Sequence, residues 1–282
     1  KYIIRNGDQL ENETYKYMNL SKIKFGKIPI MLNSCICVLK QYPHIHPDLI
    51  DECKMDPGGY FIINGSEKTC LGQAKPADNK VFCFKHKPGH KWLWTSEFRS
   101  VPDWKCISPK QIYMMVNSKL SSYGYEILVQ LPRLKKPIPL FVLFRALGIE
   151  SDEDICNYIT LDNEKEDAIL GYLKASINEA SEYDNYDDCI QYIISCVIYT
   201  PFNMEKEEGQ QKKLDFALDV LSNDLFPHCK TKYEKIYLLG HMTYTLIECV
   251  LGKKPQTDRD SYLNKRVELT GTLLNNLFRN YF

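Results

Sequence analysis

No run of apolar residues in this chain approaches the length of about 18 that a membrane span requires, and no stretch reads as a secretory leader. Net charge is missing too: 36 Lys and Arg are offset by 36 Asp and Glu. A protein that works mainly by coating nucleic acid is usually basic, so any contact with DNA must come from local patches. Cysteine is plentiful, but regular spacing is not. The 11 cysteines are scattered, which in a chain without a leader argues for reduced, intracellular thiols and against a disulfide framework. Nor is there an Asp cluster of the D-x-D-x-D kind that would hold divalent metal.

What is present is enough for a substantial core: 282 residues allow one large domain or two ordinary ones. Charge is segregated along the chain. Lys and Arg outnumber acids from Gly65 to Arg145, whereas from Ala146 to Ile190 only Lys165 and Lys174 stand against many Asp and Glu. The start at Lys1 and the stop at Tyr281-Phe282, inside a helix-like stretch, lead us to expect a piece of something longer. Abundant Lys, Asn, Ile and Tyr suggest an AT-rich coding sequence.

The stretch from Asp56 to Leu71 has the grammar of a tight turn feeding a buried hairpin. Pro57 fixes φ, Gly58 and Gly59 permit a bend, Tyr60 to Ile63 is β-rich, and Asn64-Gly65 is a strong two-residue hairpin turn before a second arm, Ser66 to Leu71. Upstream, Lys1 to Lys24 reads as strands or loops, Ile28 to Val38 as extended backbone set by Pro29, and Pro47 to Cys53 as a short helical turn. Downstream, Val81 to Leu131 holds runs of strand length broken at Pro88-Gly89, Pro102 and Ser121-Ser122, which predicts an antiparallel sheet with one wet side. Pro139 to Gly148 is a buried helix with Gly148 as its stop. Further helices are expected from Ser151, over Lys165 to Ala180, Asp187 to Ile198 and Lys212 to Phe226, and from the Thr231/Glu234 capping box to Gly252. Leu214, Leu218, Leu221 and Leu225 should share one face of the Lys212 helix.

Several constellations invite chemistry. Cys35, Cys37 and Cys53 with His46 could be drawn as a zinc site, but a second well-spaced pair is missing and small buried thiols are common in cores. Cys83, His86 and His90 could be a metal site or a thiol nucleophile with its base, yet nothing is spaced to complete either. Lys85, Lys87, Lys91 and Trp92 to Trp94 mix basic and aromatic residues as single-strand binders do; a strand with core-facing Trp and exposed Lys is the plainer reading. Asp258 and Asp260 flank Arg259 and stand near Lys265, which favours ion-paired loop residues over metal ligands.

As strings, some of these segments are far more specific. Gly26-Lys27-Ile28-Pro29-Ile30-Met31, the Gly58 to Lys68 stretch, Leu71 to Lys80, the Pro132 to Gly148 segment ending Phe144-Arg145-Ala146-Leu147-Gly148, Phe226-Pro227-His228, Leu239-Gly240-His241-Met242, and Thr257 to Arg279 resemble, in this order, the second-largest subunit of multisubunit DNA-directed RNA polymerases. Three positions depart from that pattern: Ala74 stands for a Glu, Ser261 for a His and Leu263 for a Gly.

The resemblance implies an α+β fold: residues 1–74 a protrusion segment, 75–255 the lobe, with an antiparallel sheet region followed by a helical region, and 256–282 the return into the protrusion. It implies a wall of the DNA cleft in template-dependent RNA synthesis, with no catalytic residue and no metal in this fragment. Mg2+ would serve the whole enzyme, held mainly by the largest subunit. Lys68, Lys265 and Arg266 are nominated as DNA-proximal. The implied partners are the largest and other polymerase subunits, the DNA template and general transcription factors docking on the lobe, with no membrane. The setting would be the nucleus for a cellular protein, or a virion or host cytoplasm for a viral one. The alternative is a freestanding lobe-like module that binds transcription factors; a thiol hydrolase using Cys83 and His86 is a third reading.

Overall fold

The computed structural model describes residues 2–5, 13–16, 18–104, 107–161, 167–199 and 206–281. Its contacts divide the chain into a smaller unit, Lys1–Gln73 with Val267–Phe282, and a larger one, Ala74–Arg266. In the smaller unit β1 (Tyr2–Arg5) pairs antiparallel with β2 (Glu13–Lys16). The extended segment expected over 28–38 does not form a strand. Met31 to Cys37 is occupied by turns, with Ser34 N donating to Met31 O and Cys37 N to Ser34 O (3.2 and 3.0 Å), before the single helical turn α1 (Val38–Gln41). Pro47–Ile50 forms a 3-10 turn, within the span expected to be helical.

The Asp56 to Lys68 stretch is built as its residues dictate. Asp56 Oδ1 accepts from Gly58 N (2.8 Å), and Oδ2 accepts from Tyr60 OH (2.5 Å). That bond holds the Asp56 carboxyl below its ordinary value and pushes the Tyr60 phenol up to about 12. Gly58 sits at φ +68°, where a Cβ would come within 2.6 Å of Asn33 Cβ and 2.7 Å of Leu32 O. Close approach is the point of the glycine: Gly59 N donates to Leu32 O (3.0 Å) and Leu32 N to Tyr60 O (2.9 Å), stitching the turn to the residue after Met31. β3 (Phe61–Ile63) and β4 (Ser66–Lys68) then pair through Asn64 and Gly65, both at positive φ. The hairpin is not the buried element expected. Phe61 is buried, but Ile62, Ile63 and the whole of β4 are exposed, because the second arm, Ser-Glu-Lys, has nothing apolar to bury.

β5 (Gln73–Pro76) carries the chain into the larger unit. Here β6 (Val81–Lys85), β7 (Trp92–Ser100), β8 (Lys110–Ser121), β9 (Gly124–Gln130) and β10 (Ile138–Pro139) form one antiparallel sheet in the order β10-β9-β8-β7-β6. Alternation aims Ile112, Met114 and Val116 of β8 and Ile127 and Val129 of β9 into the core, all fully buried. Gln111, Glu97 and Arg99 take the wetter face. The tryptophans Trp92 and Trp94 are half-buried, and Lys91 Nζ lies 4.5 Å over the Trp92 ring.

Helices cover the inner face. α2 (Leu140–Ala146) is buried all round and stops at Gly148, φ +95°. α3 (Asp152–Thr160) starts at Ser151, whose hydroxyl accepts from Asp154 N. α4 (Asp167–Glu179) packs on β9, where Ser176 Oγ accepts from Ile127 N (3.1 Å); the expected residues 165 and 166 lie outside the described ones. α5 (Tyr186–Cys196) follows. α6 (Lys206–Asp219) begins before the expected Lys212 and widens into a π-helical turn, Val220–Asp224. That turn re-aims the leucines: Leu221 and Leu225 are buried while Leu218 is exposed, so the four expected on one face do not share it. α7 (Lys232–Val250) crosses β6 and β7 and ends before Gly252, φ +74°. β11 (Lys265–Glu268) leads out to α8 (Thr270–Tyr281) in the smaller unit.

Candidate nucleic-acid interface

The loop from Thr257 to Arg266 is fastened residue by residue. β6 is the edge strand of its sheet, and an edge leaves backbone groups unpaired. Thr257 covers part of that edge: its N–H donates to Cys83 O (2.9 Å) and its hydroxyl accepts from Cys83 N (3.1 Å). Arg259 lies with its guanidinium carbon 4.0 Å over the Phe84 ring while Nη2 donates to Glu97 Oε1 (2.7 Å). Its partner is therefore on β7. Asp258 and Asp260 were expected to share that pairing; instead Asp258 Oδ1 accepts from Asp260 N (2.8 Å), a local turn bond that any Asx residue makes.

Asn264 is the pin. Only 8% exposed, it donates from Nδ2 to Asp258 O (2.6 Å), accepts from Lys80 Nζ at Oδ1 (2.6 Å) and accepts from Ala77 N at its carbonyl (2.9 Å). Sequence reasoning missed it, for an Asn in a polar loop carries no signal until its burial is known. Leu263 replaces the glycine of the family pattern without strain: residues 262–264 form a 3-10 turn, and Leu263 is not among the positive-φ residues. Tyr262 and Leu263 stand out into solvent.

Directly after this pin come Lys265, half-buried, and Arg266, exposed, with Arg266 Nη1 donating to Leu263 O and Lys265 O (3.3 and 2.8 Å). The structure brings these two of the nominated basic residues together. Lys68 ends β4 in the smaller unit, and its side chain is exposed.

The other conspicuous motif residues are scaffold. Arg145, in the Phe-Arg-Ala-Leu-Gly string, is 3% exposed. Its Nη1 donates to Ala180 O (2.7 Å) and Tyr183 O (2.6 Å), and its Nη2 to Asp152 Oδ1 (2.7 Å), so one side chain ties α2 to the starts and ends of α3 and α4. A lone Arg in an otherwise apolar helix is the sequence signal of such a buried, paired charge. Gly240 lets α7 press on α3: a Cβ there would lie 2.4 Å from Tyr158 O. His228 Nδ1 meets Ser100 Oγ at 2.6 Å and its ring stacks on Phe98 at 5.3 Å, with burial holding its pKa below the ordinary histidine value.

Cys83 is fully buried, and burial pushes its thiol up to about 12, the wrong direction for a nucleophile. His86 Nε2 pairs with Thr95 Oγ1 (2.7 Å), and its ring stacks on His90 at 4.2 Å. Cys35 and Cys53 are exposed and Cys37 is buried, while His46 pairs with Asp48 (3.2 Å). Among the described residues no three His, Cys, Asp or Glu side chains gather as a metal set.

Residues 79–268 match the family model described as RNA polymerase Rpb2, domain 2. Over its full length the chain is 34% identical to DNA-directed RNA polymerase II subunit 2 of Arabidopsis thaliana, covering 24% of that protein. It is 38% identical over 96% of its length to DNA-directed RNA polymerase II subunit RPB2 of Encephalitozoon cuniculi, covering 23% of it. An archaeal relative, DNA-directed RNA polymerase subunit Rpo2 of Saccharolobus solfataricus, is 31% identical over 92% of the chain, which spans 22% of that protein. The chain thus spans about a quarter of the length of these relatives, and it belongs to the family of second-largest subunits of DNA-directed RNA polymerases, in the region of their domain 2.

Proposed function

We propose that this chain forms the lobe, with adjoining pieces of the protrusion, of a second-largest polymerase subunit, and that it builds part of the wall of the DNA cleft during template-dependent RNA synthesis. The family match over residues 79–268 carries the reading. Chemistry at the transferred phosphate, and the Mg2+ that serves it, belong to other parts of the enzyme and mainly to the largest subunit. This piece contributes rigidity and local positive charge, and its partners are the other polymerase subunits, the template and transcription factors that dock on the lobe. In a eukaryotic source the setting is the nucleus.

Within this reading Lys265 and Arg266 face the duplex, with Lys68 as a further contact. Such contacts position phosphates and read no bases. A side chain beside a pinned Asn264 suits that role, because little freedom remains to be lost on binding. The isolated chain, with zero net charge, should bind duplex DNA with a Kd of about 10⁻⁴ to 10⁻⁶ M and a shallow salt slope. Replacing Lys265 and Arg266 by Ala should weaken binding equally for unrelated duplexes. A titration giving nanomolar affinity, or a sequence-dependent loss in the double variant, would be incompatible with passive phosphate contact.

A further inference from the structure

A groove of about 770 Å³ runs along α3 and the start of α7. Its walls include Tyr158 of α3, Tyr233 and Tyr237 of α7, and the acidic residues Glu150 and Asp154. Tyr233 and Tyr237, one helical turn apart, are 67% and 50% exposed, a large aromatic surface to leave in water. Tyr158 and Tyr237 meet edge to face at 5.1 Å, which fixes the Tyr237 ring as a standing wall. Among the described residues no Lys or Arg lines the groove: Lys232 and Lys235 of α7 line a different one.

We propose that this groove is a docking site for an arginine-bearing segment of a partner protein. Three tyrosines and two acidic residues line it, and among the described residues no cation of the chain does; a guanidinium suits both kinds of group at once. Its plane stacks on an aromatic face while its forked N–H groups meet a carboxylate two at a time. A lysine ammonium makes the point-charge contact but not the stacked one. An acidic or phosphate ligand is repelled by Glu150 and Asp154, which sets this surface apart from the Lys265-Arg266 edge. The inference does not rest on the cleft-wall reading, and either can fail alone.

The test is a titration of the full chain with a fluorescein-labelled peptide of alternating Arg and Ser, read by anisotropy, against the same peptide with citrulline for Arg and with Lys for Arg. Saturable binding is expected for the Arg peptide, weaker binding for Lys, and none for citrulline, which keeps the shape but not the charge. Tyr233→Ser and Glu150→Gln change an exposed ring and a residue outside the helices, so both should fold, as an unchanged thermal midpoint would verify. Together they should weaken the Arg peptide about tenfold. Equal affinity in the double variant, equal binding of the citrulline peptide, or no binding at millimolar peptide would each overturn the proposal.

Discussion

At the scale of single residues, the larger unit concentrates its unusual electrostatics in a few buried groups. Glu179, near the end of α4, is pushed up to about 7, first by burial and then by the charge of Glu126, and its Oε2 has no hydrogen-bond partner among the described residues. Because its folded pKa lies above the unfolded value, its contribution to stability is full below pH about 4.5 and is lost as pH rises through about 7. Glu179→Gln should therefore stabilise the fold by about 1–2 kcal/mol above pH 7, after discounting for partial exposure, and by little at pH 4.5. Urea midpoints of the two proteins across that window check this, and parallel pH profiles would contradict it. Arg145 is a buried charge that is paired through Nη1 and Nη2, although its buried Nε has no partner among the described residues. Its presence in the sequence was plain; that it is scaffold became visible only with its burial.

At the scale of elements, close helix contact is set by glycine at one position more than any other. α7 crosses α3 where Gly240 faces Tyr158 O, and a Cβ at 2.4 Å must push backbone aside. Gly240→Ala, ordinarily favourable in a helix, should instead destabilise by about 1–3 kcal/mol; a calorimetric scan showing no loss would mean the crossing relaxes freely. Much at this level was legible beforehand. The strands, the Ser151 and Thr231 caps and the glycine stops at Gly148 and Gly252 follow local rules that tertiary context did not override. Three expectations failed for physical reasons. The hairpin at 61–68 stayed exposed because its second arm, Ser-Glu-Lys, has nothing apolar to bury. The extended reading of 28–38 assumed a partner strand, and turn bonds took its place. The single Leu face of α6 assumed constant 3.6 periodicity, and the π-helical turn at Val220–Asp224 broke it. Loop 257–266 was legible as a motif but not as a mechanism, since its anchoring depends on Cys83, Glu97, Lys80 and Ala77, far away in sequence.

At the scale of the whole molecule, balanced charge conceals local specialisation. A basic edge follows the pinned loop, and an acidic, tyrosine-lined groove lies on α3 and α7. We read the first as DNA-facing and the second as partner-facing. Neither proposed use needs a catalytic group of its own. The most direct test is to capture the natural product from its source with an antibody raised against this chain and assay the captured material for RNA synthesis. The account predicts that a second large polypeptide comes down with it and that RNA is made only when DNA template is supplied. Capture of this polypeptide alone, with no template-dependent synthesis, would contradict it.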